Sequence, residues 1–468
     1  GRIMAKLQIR GKDLRKIGYP QTPVVSVAIG VMEQYYKRHS LEEALAVLKD
    51  IMVQPKDFID DPVLGKVARA FLPERDESVE YSLNRDGVAF SIFGRGQIEE
   101  GAMQQMYLAA KLPVAVAGAL MPDAHSGYGL PIGGVLATEN AVIPYGVGVD
   151  IGCRMCLSVF DIPATELYRK ESLFTRELEA ATLFGSGGQF RESMDHPVMD
   201  RDTFHDTTLL RSLHGRAWKQ LGTSGGGNHF VEFGEVAITE HDPVLGLAPG
   251  HYVGLLSHSG SRGLGANIAN HYTRVARSKR RLPQEATHLA WLTLDEMEGM
   301  EYWTAMNLAG DYASACHDVI HVKIATALGR LPIRTVQNHH NFAWRETHNG
   351  RGLIVHRKGA TPAGRDVLGI IPGSMTAPGF IVKGRGNTAS LDSASHGAGR
   401  KLSRSAANAG ISHHALREEL DRHNVRLIGG GLDEAPHAYK DIESVMRAQT
   451  SLVDVVGAFR PRIVRMDG

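Results

Sequence analysis

Apolar and polar residues alternate at helical spacing in the N-terminal part of the chain. In the stretch SLEEALAVLKDIM, one helical face is marked by three leucines, Leu41, Leu45 and Leu48. Ser40 stands directly before this run and Glu43 follows three residues later, which is the pattern of a capping box. We therefore predict a helical N-terminal extension over residues 4–80. The extension has no cluster of glycine, histidine and acidic residues, which favours a structural or docking role.

From about residue 85 the pattern changes to short β-rich runs that are broken by glycines, such as VAVAGALMP, GGVLAT and YVGLLSHSGS. A helical insertion is predicted over about 283–329, where apolar residues recur every fourth position: Leu308, Tyr312, Cys316, Ile320 and Ile324. After it the glycine-rich texture resumes and continues to the end. The chain is thus predicted to be an α+β protein, with one large body of β-sheets and surrounding helices over 85–468 and the helical extension before it.

Composition narrows the class of protein. A hydrophobic content of 43% and a charged content of 22% are those of a soluble globular chain, and no apolar run approaches the length of about 20 residues that a membrane span needs. Three cysteines argue against a disulfide framework, so we expect a cytoplasmic protein without a membrane partner. The net charge of +1 means that any site for a polyanion must be a local basic patch. Glycine is in excess, with 52 residues.

The segment VIPYGVGVDIGCRMC carries the first candidate chemistry. Asp150 and Cys153 lie three residues apart on a glycine-containing turn, where a carboxylate and a thiolate can converge on a metal ion. For this pair alone, a buried cysteine beside a turn aspartate is the more common arrangement. Cys153 and Cys156 also form a CxxC half-motif, but the chain has no second CxxC, so a zinc or redox reading is weak.

Histidines at strand ends strengthen the metal hypothesis. His229 follows three glycines and Asn228, His258 ends an apolar run, and the pair His339 and His340 ends another. Each alone is more often a hydrogen-bonded structural residue. Several together are hard to explain by packing, because burying an unpaired imidazole is costly. With Asp150 and Cys153 they predict a site for one or two metal ions.

Loops that combine glycine with basic residues suggest a phosphate-binding site. Asparagine and exposed backbone N–H groups are donors for phosphate oxygens, and Arg262 and Arg400 add guanidinium groups. Further basic residues stand in the loops HRKGATPAGRD and VKGRG. In SASHGAGR, small neighbours leave the imidazole of His396 open to an approaching ligand. The chain has no Walker A or GxGxxG motif, so a standard nucleotide fold is not indicated.

Several ordered motifs resemble one known family. They are MPDAHSGYGLPIGGVLAT, VGVDIGCRM, GGGNHFVE, HSGSRGLG, HHN, HRKGA, PGSM, HGAGR and APHAYKDI, and they run from about residue 85 to the end. Together they resemble the RtcB family of GTP-dependent RNA ligases. The resemblance implies ligation of an RNA 3′-phosphate or 2′,3′-cyclic phosphate to a 5′-hydroxyl, in tRNA splicing or RNA repair. It implies two Mn²⁺ ions, although the residue types alone would favour zinc.

The resemblance also implies roles for individual residues. Two Mn²⁺ ions would be bridged by Cys153, with Asp150 and His229 on one ion and His258 and His340 on the other. His396 would attack the α-phosphorus of GTP and carry GMP, and Asp123 would lie near the metal centre. The implied nucleotide contacts are Asn228, Glu232, Arg262, Ser374, Ser393, Arg400 and Tyr439.

One position departs from the family pattern, and other functions stay open. Members commonly end in a lysine and a glycine, and the lysine contacts guanine, whereas this chain has Met466 at that place with Arg465 before it as a replacement candidate. The alternatives are a metal-dependent RNA end phosphodiesterase or phosphatase, and a ribosome- or RNA-associated binding protein with a vestigial site. A monomer is the default, and an activating protein partner is left open.

Overall fold

The structure is a computed structural model that describes residues 6–71, 78–192 and 194–468. Its α-helices are α1 (Gly11–Lys16), α2 (Val24–Tyr35), α3 (Leu41–Val53), α4 (Gly65–Ala70), α5 (Glu100–Ala109), α6 (Pro144–Val147), α7 (Glu166–Arg169), α8 (Glu171–Ala181), α9 (Thr208–Gln220), α10 (Arg262–Lys279), α11 (Met297–Leu328), α12 (Arg404–Gly410), α13 (His413–Arg422) and α14 (Ile442–Arg447). The helix predicted within 283–329 is present as α11, and all five residues of its four-residue repeat are buried.

The β-strands interrupt these helices along most of the chain. They are β1 (Val79–Glu80), β2 (Phe90–Ile92), β3 (Ala115–His125), β4 (Ile132–Thr138), β5 (Ala141–Val142), β6 (Arg154–Pro163), β7 (Phe230–Ile238), β8 (Gly250–Ser259), β9 (Arg280–Arg281), β10 (Leu292–Thr293), β11 (Arg334–His339), β12 (Asn341–His348), β13 (Arg351–Lys358), β14 (Ala360–Pro362), β15 (Leu368–Ile371), β16 (Gly379–Gly384), β17 (Ser393–Ser395), β18 (Arg426–Ile428) and β19 (Val453–Met466). The glycine-broken runs predicted as strands form β3, β4 and β8.

An eight-stranded sheet forms the centre of the body. Its strands follow the order β11-β6-β8-β7-β19-β16-β15, and β18 pairs with β19. Successive side chains of a strand point to opposite faces of a sheet. On β6, Met155, Leu157 and Val159 pack in a core on one face, whereas Phe160 packs with Ile320 and Ile324 of α11 on the other. We call these the cavity face and the helix face of the central sheet.

A second sheet of five strands, in the order β12-β13-β4-β3-β2, lies beside the first. The chain passes from β11 of the central sheet into β12 of the second one through His340 alone, since β11 ends at His339 and β12 begins at Asn341. This crossing point positions a histidine between the two sheets. The α+β class, a body of sheets with surrounding helices, is therefore confirmed.

The N-terminal helices pack against α11. Val24, Val31 and Met32 of α2 belong to the same hydrophobic core as Met300 and Tyr302 of α11. The predicted cap of α3 is confirmed, because the hydroxyl of Ser40 accepts a hydrogen bond of 3.1 Å from the backbone N–H of Glu43.

The predicted extension, 4–80, includes residues 4, 5 and 72–77, which lie outside the described residues. Its separation from the body near residue 80 stays a prediction. Within the described part of the chain, no helix combines the length and the apolar character that crossing a bilayer requires.

Candidate metal and nucleotide site

A cavity opens between the two sheets at the ends of β6, β7, β8, β11 and β17. Most of the residues that the sequence nominated line it: Asp150, Cys153, Asn228, His229, Glu232, His258, His340, Ser374, His396, Arg400, Tyr439 and Met466. These residues come from segments more than 300 positions apart, so the fold brings together what the sequence shows only as scattered motifs.

Asp150 and Cys153 lie on one tight turn between α6 and β6. The backbone N–H of Cys153 donates to the carbonyl of Asp150 at 3.2 Å, which closes the turn. The carboxylate of Asp150 accepts a hydrogen bond of 3.1 Å from the N–H of Ser261. Gly260 makes this approach feasible, because a Cβ at that position would overlap the Asp150 carboxylate. The glycine of the HSGSR motif therefore has a packing reason.

His229 and His258 are held in defined tautomers by backbone carbonyls. Nδ1 of His229 lies 2.8 Å from the carbonyl of Ser224, and Nδ1 of His258 lies 3.1 Å from that of Asn228. A carbonyl only accepts, so each Nδ1 carries the proton and each neutral ring presents a lone pair at Nε2. These Nε2 atoms lie 3.5 Å and 3.2 Å from the Cys153 sulfur. We call Cys153, His229 and His258 the cavity cluster.

The lone pairs of the cavity cluster meet other electron-rich atoms. Nε2 of a neutral His229 lies 2.9 Å from a carboxylate oxygen of Asp150. The ring of His340 stands 5.3 Å from that of His258, and its buried Nδ1 has no hydrogen-bond partner among the described residues. Two arrangements here are costly: the lone pairs that face one another, and the buried nitrogen without a partner. A cation among these atoms would remove both costs. The donor set therefore fits a bound metal ion.

Burial keeps His258 and His340 of the site uncharged. Burial lowers the pKa of His258 to about 3, with further lowering by His229 and His396. Burial also lowers the pKa of His340 well below its usual range. For Asp150, burial raises the pKa of the carboxyl, whereas the hydrogen bond from the backbone N–H of Ser261 lowers it. Neutral imidazoles and an ionised carboxylate are the forms that ligate metals.

His396 follows β17 and faces a buried carboxylate. Its Nδ1 lies 2.7 Å from Oδ2 of Asp123, which is fully buried at the end of β3, although the two groups are not aligned as a hydrogen bond. The ring stands 4.7 Å from that of His340, so it is next to the candidate metal ligands. Gly399 allows the HGAGR loop to lie against β3, because a Cβ there would overlap the backbone of Asp123.

The far wall of the cavity contains a charged network around one acid that the sequence reading missed. Glu434 is buried, accepts a hydrogen bond from the hydroxyl of Tyr439, and pairs with Arg400 at 3.4 Å and with Arg404. The guanidinium of Arg400 lies over the Tyr439 ring, with 5.2 Å to its centroid. Glu434 stands two residues before the PHAYKD motif, and this position in the sequence could have nominated it as a site residue.

The end of β19 decides which side chain replaces the expected lysine. Met466 points into the cavity, whereas Arg465 points to the helix face, where it donates to Thr182 Oγ1 at 2.7 Å and to the Glu179 carbonyl at 2.7 Å. Neighbouring residues of a strand point to opposite faces. Arg465 therefore cannot replace a lysine at Met466, and that expectation was wrong.

Two nominated nucleotide contacts lie outside the cavity wall. Ser393 is buried in β17 and accepts a hydrogen bond of 2.7 Å from Nε of Arg357. Arg262, at the start of α10, donates to Thr223 Oγ1 at 2.9 Å and to the carbonyl of Gly185 at 3.0 Å. Their side chains support the walls of the site, and nucleotide contact by either one stays a prediction.

Comparisons with known proteins agree with this arrangement. The family model described as tRNA-splicing ligase RtcB matches residues 105–208 and 198–467. The RNA-splicing ligase RtcB of Escherichia coli (strain K12) is 34% identical over 397 residues, which is 78% of this chain and 93% of that protein. The RNA-splicing ligase RtcB of Mycobacterium tuberculosis is 31% identical over 414 residues, 74% and 95% of the two chains. The tRNA-splicing ligase RtcB of Nanoarchaeum equitans is 30% identical over 412 residues, 73% and 86%.

Proposed function

The chain belongs to the RtcB family of RNA-splicing ligases, and we propose that it joins RNA 3′-phosphate or 2′,3′-cyclic phosphate ends to 5′-hydroxyl ends through a GMP group carried on His396. RNA ligation as the activity follows from the family. The covalent histidine, the use of GTP and the identity of the metal are the proposed parts. The observation that carries them is the position of His396 between the buried carboxylate of Asp123 and the ring of His340.

Asp123 would orient the nucleophile. A carboxylate 2.7 Å from Nδ1 of His396 favours the tautomer with the proton on Nδ1, so Nε2 keeps its lone pair for attack. Nε2 would form a bond to the α-phosphorus of GTP while the bond to the β-phosphate oxygen breaks and pyrophosphate leaves. The ring gains positive charge in this step, and the adjacent buried carboxylate would stabilise that charge.

The cavity cluster, Asp150 and His340 would hold the metal ions. Their neutral imidazoles and paired lone-pair atoms fit a divalent cation, and manganese is the ion we propose for it. A bound ion would offset charge on the phosphates of the nucleotide. The free thiol of Cys153 is protonated, because burial, with the charge of Asp150 adding to it, raises its pKa well above its usual range. It must therefore lose this proton when a metal ion binds.

The remaining cavity residues would seat the nucleotide. We assign Asn228 and Ser374 to phosphate or ribose oxygens, and Tyr439 to the base, since its ring is fixed by Glu434 and Arg400. Burial raises the pKa of Glu232 well above its usual range, so its protonated carboxyl can donate a hydrogen bond as well as accept one. Guanine preference would then depend on these groups, with Met466 supplying packing only.

The later steps use the same cavity. A cyclic phosphate end is first hydrolysed to a 3′-phosphate, and His396 then transfers GMP to that phosphate. The 5′-hydroxyl attacks the activated 3′-phosphate, forms the new phosphodiester and releases GMP. We propose that the protein acts as a monomer in the reducing cytoplasm, where its three free cysteines stay reduced. The first 80 residues are proposed to form a helical extension, and an activating partner is left open.

Transfer of label from GTP tests the proposal. With α-labelled GTP and Mn²⁺, wild-type protein should retain acid-labile label after denaturing electrophoresis, and His396→Ala should retain none. His413→Ala is the matched control, because this exposed histidine at the start of α13 does not line the cavity. Absence of label on wild type, combined with loss of terminal phosphate from RNA, would instead identify an RNA end phosphatase.

Base selectivity is measured separately. Excess ATP should not compete with GTP for labelling if Tyr439, Glu232 and their neighbours select guanine. Equal competition by ATP would show that Met466 has removed that selectivity. Either result leaves the assignment of His396 intact, because the nucleophile contacts the phosphate and not the base.

A further inference from the structure

A second group of histidines and a cysteine lies on the helix face of the central sheet. His317 and His321 are one turn apart on α11 and point to the same side. They face Cys156 and Ser158 of β6 and Ser257 of β8, and Cys156 and Ser257 are direct partners across the two strands. One ligand atom from each of Cys156, His317 and His321 lies within 4.8 Å of the others. We call these three residues the helix cluster.

The protons of the helix cluster can be assigned along one chain of hydrogen bonds. Nε2 of His317 lies 3.1 Å from the carbonyl of Ser259, so it carries the proton and Nδ1 carries the lone pair. That lone pair accepts from the Ser257 hydroxyl at 2.6 Å, whose oxygen accepts from Nε2–H of His321 at 2.7 Å. The lone pair of His321 is therefore on Nδ1. This atom lies 2.7 Å from the Ser158 hydroxyl and 3.9 Å from the Cys156 sulfur.

This assignment leaves three candidate metal ligands, one sulfur and two ring nitrogens, buried within 4.8 Å of one another. The lone pairs at Nδ1 of His317 and His321 face serine hydroxyls, which can rotate away, and the thiol of Cys156 lies beside one of them. From these positions we propose that Cys156, His317 and His321 form a zinc site that is separate from the catalytic cavity. One thiolate and two imidazoles are a donor set that zinc prefers, with a fourth position for water.

The site has a path to solvent. A groove of about 740 Å³ at the protein surface is lined by Cys156, Ser158 and His321, together with Asp318 and Gln337. The groove gives a cation access to Cys156 and His321, whereas His317 is fully buried and does not line it. Binding would replace the thiol proton, which leaves to solvent, so that the bond formed is sulfur to zinc and the bond broken is sulfur to hydrogen. Burial raises the pKa of Cys156 to about 12, and zinc affinity should therefore fall on acidification.

A zinc ion there would join α11 to β6. Three residues before Cys156, the same segment presents Cys153 to the cavity. The side chain of Arg154 already makes one such link, since it donates to the carbonyl of Gly310 on α11 at 2.8 Å. The proposed ion would add a second link farther along the strand. It would stabilise the position of β6 without taking part in the reaction.

Metal binding in a catalytic-site variant tests the proposal. In a Cys153→Ala background, added Co²⁺ should give a thiolate-to-metal charge-transfer band, and the band should vanish in Cys153→Ala/Cys156→Ala. Cys316→Ala in the same background is the matched control, because this buried cysteine is next to His317 but contacts the N–H of Gly222. The control variant should keep the band.

Zinc content and stability complete the test. After dialysis, the Cys153→Ala protein should retain about one zinc equivalent that Cys156→Ala and His321→Gln remove. Added zinc should raise the melting temperature of the Cys153→Ala protein more than that of the double variant, since both keep Asp150, His229, His258 and His340 in the cavity. Equal zinc content and an equal band with and without Cys156 would overturn the proposal. Because Cys156→Ala should still be labelled by GTP, a failed zinc site and a failed ligase are distinguishable.

Discussion

A cysteine and two histidines lie close together at each face of the central sheet, and the two clusters differ in which ring nitrogens carry the protons. In the cavity cluster, backbone carbonyls hold the proton on Nδ1, and Nε2 of His229 and His258 meets a thiol and a carboxylate. In the helix cluster, each ring nitrogen has a hydrogen-bond partner of the opposite kind. On the cavity face, the cysteine and histidines present lone pairs that a cation could bind. On the helix face, the ring nitrogens of the histidines already have hydrogen-bond partners.

This difference shows that the types of ligand residue do not by themselves decide which of two sites binds a metal ion more tightly. A cation in the cavity relieves unpaired atoms, such as Nδ1 of His340, that the protein leaves buried. A cation in the helix cluster must displace hydrogen bonds from two serine hydroxyls. The net gain is then the metal bond less the lost hydrogen bonds, each of which contributes about 1 kcal/mol. For one and the same divalent ion, we therefore expect the cavity to bind more tightly than the helix cluster.

The same substitution on the two faces gives the largest expected contrast. Cys153→Ala should lower GTP-dependent RNA ligation by about a thousandfold, because metal charge supplies several kcal/mol of transition-state stabilisation and about 1.4 kcal/mol is tenfold. Cys156→Ala should change the rate by less than about threefold, since the proposed zinc link between α11 and β6 acts on stability and not on the reacting atoms. Single-turnover ligation at saturating GTP and Mn²⁺ measures both. Equal losses in the two variants would contradict the division between the faces.

Within the cavity, the carboxylate of Asp123 beside the proposed nucleophile, His396, should give the next largest effect. Asp123→Asn should slow the labelling of His396 by about a hundredfold, because an amide no longer enforces the proton on Nδ1 or stabilises the charged ring. The apparent KM for GTP and the metal content should stay unchanged, which separates orientation from loss of the site. Asp441→Asn, an exposed aspartate at the start of α14, is the control. A fall in bound metal together with the rate would show that Asp123 acts on the metals instead.

The cavity could largely be predicted from the sequence. Its histidines stand in long motifs beside glycine or asparagine, so His229, His258 and His396 were recognisable once the motifs were taken together. The pairing of Asp123 with His396 was beyond reach, because it depends on how the HGAGR loop lies against β3. The orientation of Arg465 was also missed, since the phase of β19 relative to the cavity is set by its pairing with β7.

The helix cluster could not be predicted in the same way. Cys156 appeared only as half of a weak CxxC motif, and the helical reading of α11 used its apolar residues and passed over His317 and His321. The spacing of these histidines marks one helical face, but the partner strand is identified only by the fold. Tertiary packing, and not local pattern, decides that this face meets Ser257 and Cys156.

The hydrogen-bond chain of the helix cluster gives a smaller effect, on stability. In protein freed of metal, Ser257→Ala should lower the free energy of unfolding by about 2 kcal/mol, because it leaves Nε2–H of His321 and Nδ1 of His317 buried without partners. Urea unfolding measures the change, with Ser278→Ala, an exposed serine of α10, as the control. GTP labelling per folded molecule should be unaffected. A variant as stable as wild type would show that the assigned proton chain is wrong.

His356, a buried histidine with no cysteine beside it, gives the smallest expected effect, on the pH dependence of stability. It serves as a comparison for the histidines of the helix cluster. Nε2 of His356 accepts from the N–H of Ile143 at 2.9 Å, and its Nδ1–H donates to the carbonyl of Leu136 at 3.0 Å. A second proton has no acceptor on the Ile143 side, and burial lowers the pKa of His356 to about 4. The unfolded chain takes up this proton near pH 6.5, so stability is full above that pH and is lost as the pH falls toward 4.

Between pH 7.5 and pH 5.5, this residue should remove about 1 kcal/mol from the free energy of unfolding. His356→Gln keeps an acceptor and a donor but cannot titrate, so its stability should fall by that much less over the same interval, even if it is lower at both pH values. Urea unfolding of the two proteins at each pH gives the four values needed. Parallel losses would mean that His356 is not held neutral by its two backbone partners. A complete set of hydrogen bonds would then not be enough to keep a buried histidine neutral. The neutral state that we assign to His317 and His321 on the same ground would lose its support.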